Sequence, residues 1–275
     1  MGLRFWLGTS AMLFSSPWRN RSLIIQMVRR EVVGRYRGSL MGMLWSFINP
    51  VLMLAVYTFV FSVVFKAKWG AGASDSKLDF ALILFAGMIV YGIFAESVNR
   101  APALIVGNAN FVKKVVFPLD ILPWVAMGAT LFHAAVSVGV WTVLFVIVKG
   151  YLPWTIALLP LVMLPLVLLT MGCAWFLAST AVYLRDVAQT TGIITTVLMF
   201  LSPIFYPATA LPERYRPLLE LNPLTFPVEQ ARELMVWGRA PALGGLLVYT
   251  FVSLVIALFG LAWFQKTRRG FADVL

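Results

Sequence analysis

The side chains able to do chemistry in this 275-residue chain are few and scattered. One histidine, His133, stands within an apolar stretch, where it could relay a proton or simply satisfy a hydrogen bond between helices. One cysteine, Cys173, excludes an intrachain disulfide and reads as a small apolar filler. The sequence holds no H-E-x-x-H pair and no Cys cluster to take a metal, and no G-x-x-x-x-G-K-[ST] loop to cradle ATP phosphates. Glu96, Asp120 and Asp186 lie in distant segments without a shared motif, which argues against sugar transfer by converging carboxylates. No catalytic residue, metal site or cofactor is therefore predicted.

What remains is a supply of aromatic rings and arginines. Tyr57, Phe61 and Phe65 form an i, i+4, i+8 stripe, Tyr91 and Phe94 lie on the next apolar run, and Phe200, Phe205 and Tyr206 follow later. Rings cover the apolar faces of sugars while Tyr hydroxyls meet polar edges, so such a lining could pass a hydrophilic polymer without holding it tightly. The alternative for each ring is to face lipid or a neighbouring helix, as aromatic belts do. Arg29, Arg30, Arg35 and Arg37 form a basic cluster before the first long apolar run.

The elements that must position these groups are membrane helices. The chain is 61% hydrophobic and 12% charged, against roughly 45–50% apolar and about 25% charged in soluble domains. Charge-free gaps run from Gly38 to Phe65, Phe80 to about Asn99, Ile121 to Val148, Gly150 to Leu184, Val187 to Pro212, and Ala240 to Gln265. They predict an all-α polytopic fold with six transmembrane helices in one domain, 1–275. The second gap is the shortest, with 16 residues between Asp79 and Glu96, where about 20 are needed to span. Glu96 and Arg100 are accordingly assigned to the interface. The fourth is too long for one helix, and its prolines place the span from near Pro160 to near Tyr183.

With both termini inside, the cytoplasmic segments hold 14 of the 22 Lys and Arg and 5 of the 11 acids, a net +9 against +2 outside. That bias predicts N-in, C-in. The overall +11 then reflects topology and attraction to anionic lipid, not nucleic acid. All the charges fall at span ends or in loops, so no ion-coupling site is expected and the energy for any transport must come from elsewhere.

Residues 22–37 segregate on a helical wheel, with Ile24, Ile25, Val28, Val32 and Tyr36 on one face and Arg29, Arg30 and Arg37 on the other. An interfacial helix is predicted, the alternative being a helix packed on the bundle. The run Phe5 to Phe14 lacks a cleavage pattern and reads as an uncleaved leader at the membrane surface. Asn110 is a good N-cap and Pro118 a breaker, which predicts a two-turn helix over Phe111 to Phe117, or else a turn lying on the head groups. In the proline-rich region 203–240, Leu211 to Leu221 and Phe226 to Trp237 have helical periodicity but are too short and charged to span. They suit either a structural cap or an external gate.

Several runs carry a resemblance. VRREVVGRYRGSLMGMLWSFINP from Val28 to Pro50, VYTFVFSVVF from Val56 to Phe65, NANFVKKVVFPLD from Asn108 to Asp120, YLRDV from Tyr183 to Val187 and LNPLT from Leu221 to Thr225 follow one another in order. Together they resemble the permease subunit of type-2 ABC exporters for bacterial surface polysaccharides, over nearly the whole chain. The wording from Asn99 to Val106 and KKVVFP is closer to O-antigen exporters than to capsule exporters, with teichoic-acid exporters near relatives. The resemblance implies a multi-pass protein of the bacterial inner membrane. It implies a homodimer enclosing a channel above two copies of a cytoplasmic ATPase, which would carry the ATP and magnesium. The substrate it implies is an undecaprenyl-diphosphate-linked polysaccharide. Asn108, Asn110, Phe111, Lys113, Lys114 and Phe117, in a coupling helix over 108–117, would then meet the ATPase, with Arg185 and Asp186 as a second contact. Arg29, Arg30, Arg35 and Arg37 would meet the lipid diphosphate or the membrane surface, and 203–240 would supply gate helices.

Overall fold

The computed structural model describes residues 3–60, 69, 77–113 and 117–275. Among them every regular element is helical, as expected where lipid offers no partner for an open backbone. Four helices are long and apolar enough to cross a membrane: α4 (Lys77–Arg100), α7 (Leu122–Lys149), α8 (Leu159–Thr180) and α12 (Leu243–Thr267). Two more, α3 (Trp45–Thr58) and α9 (Val187–Leu201), are apolar but shorter.

The helix with the shortest charge-free gap, α4, is the centre of the bundle. Other helices enclose 72% of its apolar window, against 11% for that of α7. Its charged ends are compatible with that position because neighbours neutralise them. Asp79 takes Lys149 at 2.8 Å, and Glu96 takes Arg35 at 2.5 Å.

The tightest packing joins α8 to α12. A Cβ on Gly172 would lie 2.5 Å from the Ile256 carbonyl oxygen, and one on Gly260 would fall onto the Gly172 carbonyl. Paired small residues let two backbones meet where lipid gives no hydrophobic drive for association. Pro160 lies in the first turn of α8, where its missing N–H costs nothing. α7 closes on Gly150, whose φ of +76° gives a left-handed cap.

Prolines set the other boundaries. α9 stops at Leu201, short of the expected Pro212, because Ser202 is extended (ψ 149°) ahead of Pro203. The expected helix over Leu211 to Leu221 divides at its prolines into a 3-10 turn, Glu213–Tyr215, and α10 (Arg216–Leu221). α11 (Thr225–Met235) packs against α4 and α8. The expected first span runs beyond Val60, where its remainder, with Phe61 and Phe65, lies outside the described residues.

α1 (Leu3–Arg19) is docked on the bundle against α12, with Leu13 buried. α2 (Arg21–Tyr36) agrees in its bounds, to within a residue at each end, with the helix expected over 22–37. It lies against α7, where Val28 fills the space at Gly128. Its apolar residues divide: Val32 is buried, whereas Ile25 is 65% exposed on another side. Two short helices, α5 (Ala103–Val106) and α6 (Ala109–Lys113), precede α7, and α13 (Phe271–Val274) follows α12.

Candidate functional site

Four of the predicted aromatic residues, Tyr57, Phe200, Phe205 and Tyr206, gather where α3 and α9 end. The ring of Tyr57 lies 5.9 Å from that of Phe205, and Phe205 lies 5.9 Å from Phe200. Tyr206 Oη donates to the Phe200 carbonyl at 3.0 Å. Tyr91 Oη donates to the Thr195 carbonyl at 3.2 Å, which fixes α4 beside α9. Phe200 is exposed, whereas Phe205 is buried beneath it. Phe94 goes elsewhere, into a cavity of about 280 Å³ shared with Cys173 and Phe176. A cluster of this kind offers flat apolar surfaces edged by phenols.

The chain turn that presents Phe205 and Tyr206 is held from two sides. From one side, Asn222 Nδ2 donates to Ser202 Oγ at 3.0 Å while its Oδ1 accepts from the Leu224 N–H at 2.9 Å. Tyr249 Oη donates to the Pro223 carbonyl at 2.9 Å, and Thr225 Oγ1 to that of Leu219 at 2.6 Å. The LNPLT run is thus a knot tying α10 and α11 to the end of α9.

From the other side comes Arg232 of α11, 2% exposed. Its Nε donates to the Ile83 carbonyl at 3.0 Å, Nη2 to that of Ile204 at 2.7 Å, and Nη1 to that of Pro203. Its guanidinium also lies 4.2 Å from the centre of the Trp69 ring. Pro203 and Ile204 directly precede Phe205, so this arginine fixes the backbone that carries the cluster. Burial lowers its pKa to about 9, which leaves it cationic at neutral pH. In the sequence Arg232 stands beside Glu229 and Glu233, a pattern that suits a solvated charge pair. The helical period carries the opposite signal, since Val228, Arg232 and Met235 share the buried side of α11.

At the opposite end of the bundle all four predicted arginines, Arg29, Arg30, Arg35 and Arg37, are exposed. Of these, Arg35 also pairs with Glu96. Arg100 contacts Glu31 and lies 3.7 Å from Glu96, which completes a four-charge bridge between α2 and α4. Tyr36 Oη lies 3.4 Å from His133 Nδ1, and burial raises the phenol's pKa.

The predicted coupling loop differs from expectation in its helix. α6 begins at Ala109, so Asn110 lies inside it, and the preceding Asn108 turns its amide back to the Leu104 carbonyl at 2.9 Å. Phe117 is non-helical because it precedes Pro118. Its ring stacks on Phe111 with centroids 4.5 Å apart. Lys113 donates to the Leu275 carbonyl, and Lys114 lies outside the described residues. Arg185 and Asp186 are exposed in the turn between α8 and α9.

One segment braces both of these turns. Phe271 is buried against Phe264 and Tyr183, whose Oη donates to the Thr267 carbonyl at 2.7 Å. Asp120, 4% exposed, accepts from Ser16 and lies 3.9 Å from Arg268, while its carbonyl accepts from Trp175 Nε1 at 3.0 Å. With Glu96 and Asp120 so engaged and Asp186 exposed elsewhere, these carboxylates do not converge. Among the described residues no group of His, Cys, Asp and Glu could hold a metal ion.

The model of the ABC-2 type transporter family matches residues 22–236. An O-antigen export system permease protein, RfbA, of Myxococcus xanthus is 29% identical over 93% of this chain and 96% of its own length. The RfbA permease of Klebsiella pneumoniae is 25% identical over 92% and 95%. The polysialic acid transport protein KpsM of Escherichia coli is 24% identical over 83% and 88%.

Proposed function

The chain belongs to the ABC-2 type transporter family, and from that premise we propose that it is the permease subunit of an ATP-driven polysaccharide exporter. Its substrate is a lipid-linked glycan, carried on undecaprenyl diphosphate and of the O-antigen kind named for the relatives in Myxococcus and Klebsiella. It resides in the bacterial inner membrane with six spans, α3 and α9 completing the four long ones, and with both termini inside. Two copies form the channel, and two copies of a separate ATPase drive it, since this sequence has no phosphate-binding loop.

The observation that carries the reading is the ring cluster of Tyr57, Phe205 and Phe200 at the ends of α3 and α9, edged by the phenol of Tyr206. A hydroxyl-rich polymer crossing an apolar slab needs surfaces that accept sugar faces without trapping them. Arg29, Arg30 and Arg37 flank the cytosolic entrance and contact the lipid diphosphate through paired donors, while Arg35 holds α2 to α4 through Glu96. The Asn108 to Phe117 loop and the Arg185–Asp186 turn dock on the ATPase. The 203–240 region closes the outer end, with α11 as its fixed wall and α10, whose Leu218 and Leu221 are exposed, as the part free to move.

A deletion strain that makes the lipid-linked glycan tests this directly. Loss of the chain should leave full-length glycan on the cytosolic side, and restoring it should return export only when the ATPase is present. Elongation of a labelled lipid-linked sugar by the purified chain alone would sink the transporter reading.

A further inference from the structure

A cavity of about 260 Å³ opens beside the ring cluster, at the end of the bundle where Arg232 is buried. Pro207 and Ala208, the residues that follow Tyr206, form one side of it. Trp69 and Trp237 add two indoles, and Glu229, Gln230 and Glu233, all half-buried on α11, supply polar groups. Pockets for drug-sized ligands run to roughly 300–1,000 Å³, so this one has room for about one ring of a ligand.

Two of the polar groups are unengaged. Gln230 Oε1 accepts from the Ala242 N–H at 2.8 Å, which fixes the amide and leaves its NH2 as the donor. The Glu229 carboxylate makes no hydrogen bond or ion pair among the described residues. Glu233, by contrast, lies 3.6 Å from Arg239 through one oxygen. A carboxylate and an amide side by side satisfy a sugar hydroxyl twice, one accepting its proton and the other donating to its oxygen, while an indole covers the apolar face of the ring.

The charges select among ligands. Among the described residues lining the cavity, Arg232 is the one cation, and its Nε, Nη1 and Nη2 already donate to three carbonyls. An anionic ligand would therefore meet two carboxylates and a guanidinium committed elsewhere. A quaternary amine, which indoles and acids otherwise suit, would meet that guanidinium already held 4.2 Å from the centre of the Trp69 ring. What the lining accepts best is uncharged and carries hydroxyls.

We propose that this cavity is a subsite for one uncharged sugar ring, stacked on Trp237 and hydrogen-bonded to Glu229 and Gln230. That the sugar is a unit of the exported glycan, arriving past Tyr206, rests on the transport reading; the sugar chemistry of the cavity does not.

The full chain in detergent, without an ATPase, is titrated with mannotriose, maltotriose and diacetylchitobiose, and binding is read by saturation-transfer NMR. At least one of them should bind. Trp237→Ala and Glu229→Ala should each weaken it about ten-fold, and Trp237→Phe, which keeps a ring, should retain it. Trp237 is 40% exposed, so its replacement spares the fold, and melting curves check that both Ala variants are folded. Binding by none of the sugars, or equal binding by wild type and both Ala variants, would overturn the proposal. So would equal binding of a sialic acid trimer, or displacement of the sugar by choline at the same concentration, which would make the cavity a cation site. Sugar binding without glycan export in the restored deletion strain would remove the transport reading and leave the subsite standing; export without sugar binding would do the reverse.

Discussion

Gly87 and Arg232 share one space: a Cβ at position 87 would stand 2.7 Å from Nη2 of the arginine. The absence of a side chain on α4 is what admits the guanidinium to the carbonyls of Ile83, Pro203 and Ile204. Gly87→Ala should therefore push Arg232 off at least one of them. Arg232→Lys should fail similarly, because an ammonium cannot reproduce a rigid fork aimed at three acceptors. A bared buried carbonyl costs about 1–3 kcal/mol, so both variants should melt several degrees below wild type. An unchanged melting temperature for Arg232→Lys would show that these bonds contribute little.

Glu229 lies one turn before Arg232 and gives a pH test of the same region. Burial raises its carboxyl above the ordinary 4.5, with Arg232 pulling in the opposite direction. A raised folded-state pKa means that its stabilising contribution is full below 4.5 and disappears as pH climbs through the raised value. At neutral pH the half-buried carboxylate thus costs stability. Glu229→Gln should melt above wild type at neutral pH, and the gap should close as pH falls towards 4.5. A gap that widens on acidification would mean that pairing with Arg232 outweighs burial.

The sequence made some of these features legible and hid others. Pro160 announced the start of α8 because a first-turn proline loses no hydrogen bond. Pro203 ended α9 for a reason equally local, yet the charge-free gap to Pro212 concealed it. Arg232 was hidden by its neighbours, since adjacent glutamates suggested a solvated pair while the period of α11 turned it inward. Tyr91 and Phe94 share one apolar run, but three residues along a helix are enough to send one ring to α9 and the other to the Cys173 cavity. The convergence of Tyr57 with Phe205 depends on how α3 packs beside the end of α9, which no local pattern encodes.

Asp120 provides a test of how α1 is attached. It accepts from Ser16 of α1 and faces Arg268 beyond α12, so a single carboxylate joins both ends of the described chain to the start of α7. Asp120→Ala leaves a buried hydroxyl and the Trp175-bonded backbone without this support. Proteolysis should then cut within α1 faster than in wild type, while the α8–α12 pair stays protected. Ser16→Ala should show a smaller effect in the same direction, because it removes both the donor and its own need for a partner. Identical cleavage rates in all three proteins would assign the docking of α1 to Leu13 packing alone.

The ring cluster makes a prediction that separates a polymer conduit from a binding pocket. A pocket for a small amphiphile would lose affinity uniformly when Tyr57 or Phe205 is cut to Ala, whatever the substrate length. A conduit would not, because each added sugar repeats the same encounter with the rings, and a small rise in the barrier per step compounds along the chain. Tyr57→Ala and Phe205→Ala should therefore shift the exported glycan towards shorter chains, while Tyr57→Phe, which keeps the ring, should preserve long ones. Phe205 is buried between the tilted rings of Tyr57 and Phe200, so its Ala variant also opens a cavity worth about 3–5 kcal/mol. Tyr57→Ala, at a half-buried position, is the cleaner measurement. Gel profiles of surface polysaccharide at matched protein levels read the outcome. A uniform fall in amount with an unchanged length distribution would place the rings outside the polymer's path.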